Sequence, residues 1–149
     1  MLTSTIYLAA DHRGFPLKSK LMVWLTEHGY DVKDLGTNSE DRCDAMDFAK
    51  RLATEIKGKD AAFGVLICGT GQAMAMTANR YKNLRAALCT DSTVARLARQ
   101  HNDANVLVLG ADITGSAVAS DCLEVFLKTE FLGGRYTERR DKLTAMGGL

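Results

Sequence analysis

The chain has 149 residues, 46% of them hydrophobic and 25% charged, and a chain of about 100 to 200 residues forms one core, so a single soluble globular domain over 1–149 is expected. Its 19 Lys and Arg against 18 Asp and Glu leave a formal charge of +1, which excludes the dense basic surface of a nucleic-acid binder. No apolar stretch reaches the roughly 18 residues of a membrane span, the start Met-Leu-Thr-Ser-Thr lacks a charged n-region with an apolar h-region, and the four cysteines show no C-x-x-C spacing; a cytoplasmic protein with free thiols, no membrane partner and no structural metal is expected.

Along the chain a short aliphatic run, a polar or glycine turn and an amphipathic stretch recur five times, the βα pattern of a parallel sheet. The first strand is predicted at Ile6 to Ala10, followed by a helix with Pro16 in its first turn, Leu17, Leu21 and Leu25 on one face, and Gly29 as its stop. Tyr30 to Leu35 is the second strand, ending at Gly36; Thr37 to Asp44 is a loop and Phe48 to Ile56 a helix. Ala61 to Cys68 is nearly unbroken apolar, as a central parallel strand covered on both faces should be, and a helix over Gln72 to Arg80 follows Gly69-Thr70-Gly71. Arg85 to Cys89 is the fourth strand, and Asp91 or Ser92 caps a helix with Val94, Ala95, Leu97 and Ala98 inward and Arg96 and Arg99 outward. Val106 to Leu109 is the fifth strand, then come a helix from about Gly115 to Lys128 and a polar C-terminal helix, after Gly133-Gly134, through about Ala145. The expected fold is a three-layer α/β/α Rossmann-like domain with a five-stranded parallel sheet, right-handed crossovers and a C-terminal helical extension.

Ligands of such folds bind beyond the carboxyl ends of the strands, where the turns Asp11-His12, Cys68-Gly69-Thr70-Gly71 and Thr90-Asp91-Ser92 converge. Two glycines let the Cys68 to Ala73 turn fold tightly and aim consecutive N–H groups at an oxyanion, and the helix that starts there adds its positive end. A helix N-terminus favours thiolate over thiol, so Cys68 is a candidate base or nucleophile; the plainer reading is a buried cysteine ending a strand. Gly69-x-Gly71 also begins a dinucleotide fingerprint, with Asp91 about 20 residues on, but Met74 stands where the third glycine belongs.

Asp11 and His12 offer a carboxylate for a sugar hydroxyl and an imidazole for an anion, or simply a turn aspartate beside a solvated histidine. His101-Asn102 ends a helix, where a histidine also serves as a dipole partner, and His28 reads as surface. Arg135 and Arg139, at i and i+4 on a helix, put two guanidinium groups on one face, suited to clamping a phosphate; ordinary surface charge is the alternative. Cys43, Cys89 and Cys122 have no polar constellation and need only packing.

Ala10-Asp11-His12-Arg13-Gly14-Phe15, Ile67-Cys68-Gly69-Thr70-Gly71, Ala78-Asn79-Arg80, Arg85-Ala86-Ala87, the run Arg99 to Leu107 and Gly133-Gly134-Arg135 resemble, in order and spacing over nearly the whole chain, the ribose-5-phosphate isomerase B family. That family includes the galactose-6-phosphate isomerase subunits and an allose-6-phosphate isomerase activity. The resemblance implies a cofactor-free, metal-free aldose-ketose isomerase of carbohydrate metabolism, in the pentose phosphate pathway, with ribose 5-phosphate the default substrate. It implies a cis-enediolate route with Cys68 as the base, Thr70 passing a proton between O1 and O2, and His101 as the acid that opens the furanose ring. Asp11 would hold a ring-side hydroxyl, Gly69, Thr70, Gly71, Gln72 and Ala73 the oxyanion, Asn102 the sugar, and His12, Arg135 and Arg139 the phosphate. The family pocket lies at a subunit interface, so a homodimer or a dimer of dimers is implied.

The chain also departs from the family pattern. Ala45-Met46-Asp47-Phe48-Ala49 stands where Tyr-Pro-x-Tyr-Ala is usual, Ala73 and Ala75 replace a glycine and a serine of the loop, and Tyr136 stands where a histidine is common. Asp112 occupies a position where phosphate-binding members carry arginine, and a carboxylate there repels a phosphate unless it points away. Another phosphosugar (allose 6-phosphate, galactose 6-phosphate or a tetrulose phosphate) and a non-catalytic sugar-phosphate-binding role are the alternatives.

Overall fold

Strands whose successive side chains point to opposite faces need apolar cover on both sides when the whole run is apolar. The computed structural model, which describes residues 4–149 and so leaves the Met1-Leu2-Thr3 start outside the described residues, shows such a sheet. Its strands are β1 (Thr5–Ala10), β2 (Asp31–Asp34), β3 (Phe63–Cys68), β4 (Ala86–Leu88) and β5 (Val106–Gly110). They pair in parallel in the order β2-β1-β3-β5-β4, with Ala10 beside Ile67 and Cys68 beside Gly110.

The helices are α1 (Phe15–Glu27), α2 (Ala45–Glu55), α3 (Gln72–Ala78), α4 (Ser92–Asn102), α5 (Ser116–Lys128) and α6 (Arg135–Met146). Alternation along the central strands divides the core. Ile6, Leu8, Val65, Ile67, Leu107 and Leu109 face α1, α4 and α5, while Tyr7, Ala9, Leu66, Cys68, Val106 and Val108 face α2 and α3. The result is the three-layer α/β/α arrangement, with α6 packed on α4 as a C-terminal extension. Among the described residues no helix is long and apolar enough to cross a membrane.

Several expectations need adjusting. Helix α2 starts at Ala45, three residues before the predicted Phe48, because Ala45 is itself buried and Asp44 is extended, ending the loop. Asp91, not Ser92, caps α4: its carboxylate accepts from the Val94 N–H at 3.0 Å. Arg99 points inward, not outward. It is buried, with its guanidinium 5.0 Å from the Phe63 ring centre and 5.6 Å from that of Phe126, and it bonds Asp103 at 3.0 Å and the carbonyls of Thr129 and Ala104. An arginine that donates to three acceptors and stacks on aromatic rings is tolerated inside, whereas Val94 and Leu97, predicted inward, lie partly exposed. Lys18 is likewise buried and pairs with Asp34, tying α1 to β2.

Candidate functional site

Because β1 and β3 are neighbours, the turns that follow them lie side by side at the carboxyl edge of the sheet. The Asp11 N–H donates to the Ile67 carbonyl, and Gly110 lets the glycine loop press onto β5: a Cβ there would stand 2.6 Å from the Thr70 carbonyl carbon. The loop is stitched further by the N–H of Ala111 on the Cys68 carbonyl at 2.8 Å and the N–H of Asp112 on the Gly69 carbonyl at 2.9 Å.

Gly71, with φ of 80°, turns the chain into α3 and points its own N–H back at the Cys68 sulfur, 3.2 Å away. Thr70 and Gln72 are exposed beside it, the Thr70 hydroxyl oxygen accepts from the Gln72 N–H at 3.3 Å, and Ala73 is half-buried. Helix α3 is only seven residues long, so any attraction of this turn for an anion comes from the loop N–H groups more than from a long macrodipole.

Asp11 is buried, and its Oδ1 accepts from the N–H groups of Arg13 and Gly14, both at 3.0 Å. It therefore shapes the turn, as the plainer reading had it, and leaves Oδ2 as the oxygen for a ligand. His12 Nδ1 accepts from the Cys43 N–H at 3.3 Å, which puts the ring proton on Nε2 and makes that atom a donor. Asp112 neither points away nor stands bare: its carboxylate lies against Gly69, 3.0 Å from where a Cβ would be, and 3.5 Å from the Arg13 guanidinium.

The other site residues lie elsewhere. His101 and Asn102 end α4, which runs antiparallel to the strands, so they sit at the amino edge, where the Asn105 carbonyl accepts from the Gly64 N–H at the start of β3. With a rise of about 3.3 Å per residue, β3 alone separates the two edges by about 16 Å. The imidazole of His101 stacks on the Tyr136 ring at 4.5 Å and 11°, and the guanidinium carbons of Arg135 and Arg139 lie 4.9 and 5.6 Å from the same ring centre. The two arginines thus share a face of α6, as their spacing requires, and the face meets His101.

Asp103, in the left-handed region at φ of 50°, fixes this corner by accepting from Arg85, Arg99 and Arg140 at 3.5, 3.0 and 2.7 Å. Burial lowers Arg85 from the ordinary arginine value, and the Asp103 charge works against that shift. Two groups escaped the sequence reading: the Arg13 and Asp112 pair, which joins remote loops, and the Tyr136 platform, which no spacing reveals. Among the described residues no three or more His, Cys, Asp or Glu side chains gather as metal ligands.

The chain places Cys68, Asp11, His12 and the glycine loop together at one edge and His101, Asn102, Arg135 and Arg139 together at the other. Comparison with known proteins supplies the context. The ribose/galactose isomerase family model matches residues 6–143. Ribose-5-phosphate isomerase B of Escherichia coli K12 is 37% identical over 141 residues, covering 95% of each chain. A solved ribose 5-phosphate isomerase of Thermotoga maritima superposes with a TM-score of 0.92 at 43% identity, over 96% of this chain and 99% of that one. The Mycoplasma genitalium ribose-5-phosphate isomerase B, solved with bound ribulose-5-phosphate, gives 0.92 at 37% identity over 97% of both chains. The chain belongs to the ribose/galactose isomerase family of sugar-phosphate isomerases.

Proposed function

We propose that this chain interconverts ribose 5-phosphate and ribulose 5-phosphate through ring opening and a cis-enediolate, with Cys68 as the base. The observation that carries the reading is the Gly71 N–H held 3.2 Å from the Cys68 sulfur at the head of the glycine loop. Abstracting a proton beside a carbonyl needs a base that is anionic at working pH and donors aimed at the oxygen that becomes negative. One loop carries both groups: Cys68 takes the C2 proton of the open-chain aldose, and loop N–H groups not already engaged, unlike those of Gly71 and Gln72, receive the developing O1 charge. Return of the proton to C1, with Thr70 passing a proton between the two oxygens, completes the ketose. C1 is reduced as C2 is oxidised, so the reaction is an intramolecular redox step that consumes no external oxidant or reductant.

Asp11 Oδ2 holds a ring-side hydroxyl and the His12 Nε2 proton meets the phosphate. Ring opening, which needs a proton on the ring oxygen, falls to His101, with Asn102 on the sugar and Arg135 and Arg139 on the phosphate. Those four cannot reach the Cys68 loop of their own chain, so they serve the loop of a second copy, in a homodimer or a dimer of dimers. The relative solved with ribulose-5-phosphate supports the choice of sugar. A second reading has its own observation: Ala45, buried at the start of α2, stands where the family carries an aromatic hydroxyl, and loss of that sugar contact favours a different phosphosugar such as allose 6-phosphate.

Proton exchange tests these readings. The protein is incubated in deuterated water with ribose 5-phosphate, allose 6-phosphate, galactose 6-phosphate or a tetrulose phosphate, and carbon-bound deuterium is read by NMR. Label at C1 of ribulose 5-phosphate and C2 of ribose 5-phosphate is expected. Label with a hexose phosphate alone moves the substrate to the second reading, and no label with any sugar refutes catalysis and leaves a binding role.

A further inference from the structure

Next to the glycine loop stands an ion pair that the mechanism above does not use. Arg13 and Asp112 lie against Gly69, where an added Cβ would fall 3.1 Å from Arg13 Cδ, 3.4 Å from its Nη1 and 3.0 Å from an Asp112 carboxylate oxygen. The head of the oxyanion loop is thus built around this pair, and a side chain at position 69 would displace it. Both partners are more than half exposed, Arg13 at 63% and Asp112 at 53%, so solvent screens the pair and it adds little to the stability of the fold.

The contact is also single: only Nη1 approaches the carboxylate, at 3.5 Å, which is long for a hydrogen bond and leaves the guanidinium fork open to a ligand. Arg13 also borders a cavity of about 270 Å³ that it lines with Lys20, Asp112 and Ser116. One residue back in the chain, His12 presents its Nε2 proton because the Cys43 N–H occupies Nδ1. Arg13 thus reaches the loop that holds Cys68, and His12, the residue before it in the turn after β1, offers a second donor suited to an anion. A half-exposed carboxylate is the wrong charge for that place unless it acts on its neighbour.

We propose that Arg13 is the specificity-determining cation of this chain at the Cys68 loop, held over Gly69 by Asp112 so that it receives the phosphate end of the substrate beside His12. The assignment rests on the reading of this edge as a phosphosugar site. Arg13 is the binding residue and Asp112 a positioning residue. Arg13 brings to Gly69 a planar fork that a lysine cannot reproduce.

Calorimetric titration with inorganic phosphate, on the full chain and on Arg13→Gln, Arg13→Lys, Asp112→Asn and the double variant, tests this directly. Arg13→Gln should weaken phosphate binding about tenfold or more, as loss of a charge-assisted contact does, and raise the KM for ribose 5-phosphate in step; Arg13→Lys should fall between. Asp112→Asn should weaken binding in the parent, where it loosens Arg13, yet strengthen it in the Arg13→Gln background, where the carboxylate only repels. That change of sign is a coupling a merely structural residue does not produce. Equal phosphate affinity in the parent and Arg13→Gln, or no phosphate binding by the parent, overturns the proposal, and absence of the sign change overturns the role of Asp112. If phosphate binding depends on Arg13 but no phosphosugar turns over, the isomerase reading fails and the anion site stands; turnover with phosphate binding indifferent to Arg13 is the reverse.

Discussion

Burial pushes the Cys89 thiol up to about 12, with the nearby Cys122 and Asp91 adding to it, and pushes Cys122 up to about 11, with Asp91 and Asp121 adding to it. At pH 8 a thiol that titrates at about 11 is ionised in only about one molecule in a thousand, so neither is a nucleophile. Cys68 differs in having the Gly71 N–H on its sulfur, and Cys43 in being half-exposed. Iodoacetamide at pH 8 should therefore label Cys43 and Cys68 and spare Cys89 and Cys122, as read by peptide mass spectrometry, and ribose 5-phosphate should protect Cys68 alone. Cys68→Ala should lower turnover by several orders of magnitude with substrate binding nearly retained; a rate within tenfold of the parent refutes the assignment. The same two raised thiols carry a linkage. The native state keeps protons that unfolded cysteines release near the ordinary value of 9.0, so stability should fall as pH rises from about 9 toward 11 to 12, seen as a lower urea midpoint, and Cys89→Ala should flatten that fall.

At the scale of elements, local chemistry was readable where it is local in sequence. The strands announce themselves because each apolar run serves two buried faces, and the Cys68 to Gly71 turn because strand, thiol and glycines are contiguous. Arg99 was misread because periodicity treats an arginine as surface, although Asp103 at i+4 marks its partner. The Arg13 and Asp112 pair and the stacking of His101 on Tyr136 join segments far apart in the chain, and only the packing of loops onto one sheet brings them together. Asp103 shows what such a junction is worth. It gathers three guanidinium groups from β4's approach, α4 and α6, one of them buried, and so holds the Arg135 to Arg139 face against His101. Asp103→Ala leaves those cations without their carboxylate and should cost about 3 kcal/mol in urea unfolding, whereas Asp91→Ala, which removes only a helix cap, should cost about 1 kcal/mol.

At the scale of the whole molecule, the fold places two groups of candidate site residues on opposite edges of one sheet, about 16 Å apart along β3 alone. On the roles proposed above, the group with the base lacks the acid and the group with the acid lacks the base. Two copies related by a two-fold axis would complete both proposed sites at once, because a contact between the carboxyl edge of one and the amino edge of the other is repeated by symmetry. The arrangement has a direct test in mixed assemblies. Cys68→Ala and His101→Ala should each be inactive alone. Unfolded together at equal amounts and refolded, they form mixed dimers in which one site carries both defects and the other carries neither. Random pairing makes half of the dimers mixed, with half of their sites whole, so about a quarter of the parent activity should return. A site built within one chain gains nothing from mixing, since every chain still bears its own defect. Recovery that stays at the level of the separate variants, with mixed dimers verified by native mass spectrometry, excludes a shared site.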